Sequence, residues 1–166
     1  MTARVVLVGP MGAGKSTVGA LLADAWGVTA RDTDADIEAL EGRSTSDIFV
    51  DSGEAYFRDL ERKAVAEAVA THDGVLSLGG GAVLDAGTRD LLAGHTVVFL
   101  KVGLAEAVKR VGLGSSRPLL LGNVRSRIKA LLDERTPVYE SVATLTVDTD
   151  GRTPEDVVAE LVEALA

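Results

Sequence analysis

The sequence predicts an α/β chain in which a parallel β-sheet is sandwiched between helices. Three observations carry that prediction: short Val/Leu-rich runs recur along the chain, longer stretches of helical period separate them, and a glycine-rich loop joins the first run to the first helix. Strands of near-continuous apolar content imply burial on both faces, which is the condition of a parallel sheet.

The first strand is read at residues 5–8, Val-Val-Leu-Val, and the helix after it from Val18, Leu21, Leu22, Ala25 and Trp26, spaced to share one face. A second strand is expected to end at residues 32–34, with a helix from Ala35. One helix is expected over residues 51–70, where Phe57, Leu60, Ala64 and Ala68 share a face and Asp51 and Glu54 are spaced as a capping pair. Residues 75–78 and 96–102 read as further strands, the latter as the middle of the sheet. Residues 145–149 read as the last strand before a C-terminal helix. A sheet of this kind binds ligands at the carboxyl ends of its strands, so the residues following each run are where chemistry is expected.

Composition narrows the partners. The 166 residues fit one domain, 1–166, with 46% hydrophobic and 25% charged residues. Lys+Arg number 17 against Asp+Glu 25, a formal net charge of -8, so the surface field repels nucleic acid and anionic membranes. Any bound anion must be held by a local basic site. The absence of cysteine excludes disulfides, thiolate metal sites and a Cys nucleophile, and makes a reducing cytoplasm the expected setting. No apolar run reaches the length of a signal peptide or membrane span. No strong exposed apolar stripe suggests an obligate interface, which leaves a monomer as the default.

Gly9-Pro10-Met11-Gly12-Ala13-Gly14-Lys15-Ser16 fits G-x-x-x-x-G-K-S/T, followed by Thr17. In this P-loop the backbone amides converge on phosphate oxygens, Lys15 supplies a charge for the β- and γ-phosphates, Ser16 offers a hydroxyl to Mg2+, and the helix N-terminus faces the anion. A P-loop alone does not separate kinases from GTPase switches or ATPase motors. The absence of an N/T-K-x-D guanine-reading segment, and of an Asp in residues 96–102, disfavours the latter two.

Asp32 and Asp34, two apart on a strand, are expected to project together beside the P-loop, Asp32 anchoring a water of the Mg2+ shell and Asp34 orienting or deprotonating an acceptor hydroxyl. A solvated acidic turn capping the next helix is the competing reading. Gly79-Gly80-Gly81 exposes backbone N–H groups at a strand end, and Arg58 and Arg135 suit a fork-like grip on a carboxylate. Residues 112–124, rich in Gly and Ser around Arg117, have the composition of a mobile lid that excludes water and delivers one cation.

Together these segments resemble the shikimate kinase family: GPMGAGKST, the D-T-D at 32–34, G-E-x-x-F-R at 53–58, GGG, R-P-L-L at 117–120 and R-x-P-x-Y at 135–139, in register over almost the whole chain. The resemblance implies a P-loop kinase fold of three α/β/α layers with a five-stranded parallel sheet in the order 2-3-1-4-5. It implies transfer of the γ-phosphoryl of ATP to the 3-hydroxyl of shikimate, on the route to chorismate and aromatic amino acids. It further implies that Asp34 binds the reacting hydroxyl, that Arg58, Arg135 and the Gly80 backbone hold the shikimate carboxylate, and that Glu61 orients Arg58. Phe49 and Phe57 would line the ring pocket, Arg117 would reach over the phosphates, and Arg110 and Arg152 would flank the adenine. Residues 121–124 carry no implied role. A gluconate kinase of similar fold is the nearest rival; a nucleoside monophosphate kinase and a nucleotide-binding regulator without catalysis are the others.

Overall fold

A computed structural model describes residues 3–112 and 121–166. Strand β1 (Val5–Val8) leads into helix α1 (Lys15–Trp26), followed by β2 (Ala30–Asp32), α2 (Thr33–Glu41), α3 (Thr45–Ser52), α4 (Glu54–Thr71) and β3 (Val75–Ser77). A 3-10 turn at Ala82–Leu84 and α5 (Ala86–Leu92) precede β4 (Val97–Lys101), α6 (Leu104–Gly112), α7 (Leu121–Val142), β5 (Leu145–Asp148) and α8 (Pro154–Ala164). The five strands are parallel in the order β2-β3-β1-β4-β5. Strand β1 therefore occupies the centre. Residues 97–101, read from sequence as the middle strand, lie between β1 and β5.

Alternation along the strands explains why both sheet faces are covered. Val5 and Leu7 of β1, with Val98 and Leu100 of β4, pack against α1 and α8 through Leu22 and Leu161. Val6 and Val8, with Val97 and Phe99, face the other way onto α4 and α7 through Val65, Val69 and Tyr139. Every β1 side chain is thereby buried, as an apolar run without polar interruptions requires. A third, smaller cluster of Ile37, Ile48 and Phe57 joins α2, α3 and α4.

Two expectations are corrected. Helix α2 starts at Thr33 rather than Ala35, because the Asp32 carboxylate accepts from the Asp34 and Ala35 amides and ends the strand there. Asp34 is thus in the first turn of a helix and not on a strand. The single helix expected over 51–70 is two helices, broken at Gly53 with φ 88° and ψ 165°; Asp51 belongs to α3, whose cap is Ser44, and α4 has no side-chain cap. Of the lid expected over 112–124, Gly112 ends α6 and residues 121–124 open α7; residues 113–120, Arg117 among them, lie outside the described residues. Among the described residues, no helix is long and apolar enough to cross a membrane.

Candidate active site

The loop between β1 and α1 is held by a close approach and a left-handed turn. A Cβ on Gly9 would lie 2.6 Å from the Leu100 carbonyl oxygen of β4, and Gly14 caps α1 at φ 91°. No side chain caps α1, so its first N–H groups are left for an anion. Lys15 opens that helix and turns its ammonium back, donating to the Gly9 and Pro10 carbonyls at 2.7 and 3.0 Å. Burial pulls its pKa down to about 8, Arg135 acting in the same direction while Asp34 and Asp32 oppose the shift.

Ser16 donates to Oδ2 of Asp32 at 2.8 Å, while Oδ1 of the same carboxylate caps α2. Edge strand β2 and helix α1 are thereby brought together at the loop. Asp34 projects from the first turn of α2 toward β3, and a Cβ on Gly79 would come within 2.6 Å of its Oδ1. That oxygen is buried and has no hydrogen-bond partner among the described residues. Burial raises the Asp34 pKa to about 6, with Asp32, Glu61 and Glu38 adding to the rise and Lys15 opposing it. A buried acceptor left open beside a phosphate loop is poised for a donor from outside the chain.

Helix α4 supplies the opposite wall. Arg58 donates from Nη1 to Oε1 of the buried Glu61 at 2.7 Å, and Glu54 flanks its Nε at 3.4 Å. Its guanidinium lies over the rings of Phe57 and Phe49 at 5.5 and 5.8 Å, and the two rings are 4.7 Å apart. Burial pushes the Glu61 carboxyl up, against the pull of Arg58. Arg135 comes from α7, with a buried Nε that has no partner among the described residues. The two arginines meet at the third strand end: a Cβ on Gly81 would lie 2.5 Å from Nη2 of Arg58, and one on Gly80 would lie 3.7 Å from Nη1 of Arg135. Gly79 and Gly81 are thus glycine for room, one for Asp34 and the other for Arg58.

These residues line one cleft of about 660 Å³, which takes in Gly12, Gly14, Lys15, Ser16, Thr17, Asp32 and Asp34, both phenylalanines, Arg58, Glu61, the three glycines and Arg135. A second recess of about 260 Å³ lies behind the loop, lined by Gly12, Ala13, Thr17, Arg110 and Arg152 among others. Arg110 donates to the Gly12 carbonyl at 2.8 Å and to Thr149, so it braces the loop as well as walling the recess. Arg152 donates to the Asp148 carbonyl and pairs with Glu160. Sequence reasoning missed Glu106, which pairs with Arg110 one turn away, and Glu38, which accepts from the Thr45 amide and ties α2 to α3. Helical spacing from Arg110 was a signal for the first; nothing local marks the second. Tyr139 was legible as part of a motif but not as a buried donor to the Gly80 carbonyl.

The donor set fits Mg2+. Ser16 and Asp32 offer hard oxygens side by side, and among the described residues no group of three or more His, Cys, Asp or Glu forms an all-protein cage. Magnesium prefers such partial sites, completed by phosphate oxygens and water.

The fold has solved counterparts. The structure matches a shikimate kinase from Acinetobacter baumannii in complex with shikimate at TM-score 0.91 and 34% identity, over 99% of this chain and 93% of that one. It matches a gluconokinase from Sinorhizobium meliloti at TM-score 0.61 and 22% identity, a likeness of fold alone. In sequence the chain is 59% identical to a shikimate kinase of Salinispora arenicola, over 97% of this chain and 96% of that protein. It is 56% identical to one of Streptomyces coelicolor, over 97% and 94%. The family profile described as "SKI: Shikimate kinase" matches residues 11–166, and the chain belongs to the shikimate kinase family.

Proposed function

We propose that this chain, as one catalytic domain, transfers the γ-phosphoryl group of ATP to the 3-hydroxyl of shikimate, giving shikimate 3-phosphate and ADP. One observation carries the assignment of roles within the cleft: Arg58 and Arg135 converge on Gly80 and Gly81, opposite the P-loop, with the open oxygen of Asp34 in the same cleft. Paired guanidinium groups suit an acceptor that carries a carboxylate, and the adjoining rings of Phe49 and Phe57 suit a cyclic one. They anchor the acceptor at the end remote from the reacting hydroxyl.

The triphosphate lies along the loop amides and the N-terminus of α1, and Lys15 leaves the Gly9 and Pro10 carbonyls to meet it. Ser16 directly, and Asp32 through water, would hold Mg2+, which would neutralise developing charge on the phosphates. The adenosine end occupies the recess bounded by Arg110 and Arg152. Asp34, ionised above about pH 6, accepts the proton of the 3-hydroxyl. The hydroxyl oxygen forms a bond to the γ-phosphorus, the bond from that phosphorus to the β–γ bridging oxygen breaks, and ADP leaves with the electron pair. Phe49 and Phe57 stack beside the ring and exclude water, Glu61 keeps Arg58 aimed, and Arg117 from segment 113–120 reaches over the transferred group. In a cytoplasm that keeps ATP and Mg2+ at millimolar levels no further cofactor is needed.

A coupled assay for ADP release tests the reading. Shikimate-stimulated release that depends on Mg2+ is expected; release with gluconate and none with shikimate would overturn it.

A further inference from the structure

Helices α2 and α3 are joined by the corner Gly42-Arg43-Ser44, in which Gly42 takes a left-handed turn at φ 68° and Ser44 caps α3 by accepting from the Asp47 amide. An N-cap side chain reaches the second or third amide of a helix, and the first is ordinarily left to water. Here it is not. The Thr45 amide, the first of α3, donates to Oε2 of Glu38 at 2.9 Å, so a carboxylate from the preceding helix closes the N-terminus of α3. The dipole of α3 favours negative charge at that end.

Glu38 stands where two parts of the acceptor side meet. On α2 it lies one turn beyond Asp34, on the same face, and its charge adds to the rise of the Asp34 pKa. On α3 the residue it holds, Thr45, lines the cleft together with Phe49 one turn further on. Phe49 packs on Phe57 with ring centroids 4.7 Å apart and lies beneath the Arg58 guanidinium. It nevertheless remains 37% exposed, so its own packing does not hold it in place. The apolar contact between the helices, Ile37 with Ile48 and Phe57, is non-directional and lets one helix slide along the other. A charge-assisted hydrogen bond to a backbone amide is directional and fixes the position of α3 along its axis.

We propose that Glu38 is a positioning residue for the acceptor: by holding the Thr45 amide it sets where the wall of Thr45 and Phe49 stands relative to Asp34, and with it the width of the cleft that the acceptor's ring must fill. The inference rests on the proposed function for the identity of that acceptor. One face of α2 then carries both the carboxylate that meets the reacting hydroxyl and the carboxylate that places the opposing wall.

Glu38→Ala removes the hydrogen-bond acceptor, and Glu38→Gln keeps an oxygen at the same reach. The alanine variant is expected to raise the shikimate KM about five- to tenfold while kcat and the ATP KM stay within about twofold, because bound shikimate itself holds the wall once it is in place. Glutamine is expected to bring the shikimate KM back to within about threefold of the parent. A merely structural loss has the opposite signature, since it lowers the active fraction and hence the apparent kcat while leaving KM alone. That signature, equal rises in both KM values, or a glutamine variant as impaired as alanine would overturn the inference. Should Glu38→Ala not fold, Glu38→Asp takes its place: the shorter side chain keeps the charge but withdraws it from the Thr45 amide, and the same split between KM and kcat is expected. A parent enzyme that ignores shikimate overturns the proposed function and this inference together; an active parent whose variants keep its shikimate KM overturns only the inference.

Discussion

At position 34 a carboxylate sits where its charge is disfavoured. Burial, Asp32, Glu61 and Glu38 all push its pKa up, Lys15 alone pulls it down, and the result is about 6. A base of that strength is ionised at neutral pH yet able to take a proton, so kcat/KM for shikimate is expected to fall as pH drops through about 6. Asp34→Asn should lose about 10² to 10⁴ in kcat with small changes in either KM, and should abolish that acid limb; turnover near the parent level would remove Asp34 from the chemistry. The sign for stability is opposite. A folded pKa above the unfolded value of 3.8 gives stability that is complete below that value and lost as pH rises through about 6. The asparagine variant should therefore be more stable than the parent at pH 7.5, on the order of 1 kcal/mol given the partial exposure of the site, and no more stable at pH 3.5. Lys15 titrates in the converse sense, its pKa lowered by burial to about 8 before phosphates arrive. Nucleotide binding restores the charge, so calorimetry at pH 8 in buffers of different ionisation enthalpy should show uptake of roughly half a proton, with the ATP Kd rising above that pH. Absence of proton uptake would mean that Lys15 is already charged in the free protein.

At the scale of elements, sequence patterning located every strand and the P-loop helix, because apolar runs and helical periods are local signals. It failed where a single residue redirects the chain. The D-T-D segment carried two readings, strand end and helix cap, and Asp32 proves to be both: it ends β2 and is the cap that Ser16 also uses, while Asp34 lies in the first turn of α2, aimed at Gly79. Lys15, Ser16, Asp32, Asp34, Arg58 and Arg135 nevertheless line one cleft, since motif spacing survives an error in the element that bears it. What spacing could not supply were contacts made across the fold, such as Glu38 to Thr45 and Tyr139 to Gly80. Gly53 shows how one position sets an element. Its φ of 88° and ψ of 165° lie where only glycine is at ease, and nothing lies within 4 Å of its Cβ position, so an added methyl meets torsional strain and not a clash. Gly53→Ala should cost about 1–3 kcal/mol of stability and, by changing the angle between α3 and α4, weaken shikimate binding through Phe49 and Phe57 while sparing ATP. Chemical denaturation and separate titrations of the two ligands would measure both; loss of neither would mean that the corner relaxes freely.

Over the whole molecule, the net charge of -8 and the anionic nature of both substrates are reconciled by a local concentration of positive charge, with Lys15, Arg58 and Arg135 together lining the cleft. The two halves of that cleft rest on unequal foundations. The nucleotide side is built on β1, β3 and β4, whose side chains belong to the two large clusters covering both sheet faces. The acceptor side is borne by α2, α3 and the start of α4, held by Ile37, Ile48 and Phe57 and by a surface network in which Arg43 pairs with Glu41 and reaches Ser52 while Tyr56 donates to Glu41. Fewer buried side chains mean a smaller free energy of local opening, so these helices should exchange their amide hydrogens faster than the central strands. In the proposed binding mode shikimate bridges the two foundations, contacting Asp34 and Arg58 on one side and the strand-end glycines on the other. Hydrogen-exchange mass spectrometry is therefore expected to show shikimate slowing exchange in residues 33–60 severalfold with little change in β1 and β4, and ATP alone doing the reverse around residues 9–20. Equal slowing of all segments by either ligand would show that the cleft opens as one cooperative unit and that the acceptor helices have no independent motion to arrest.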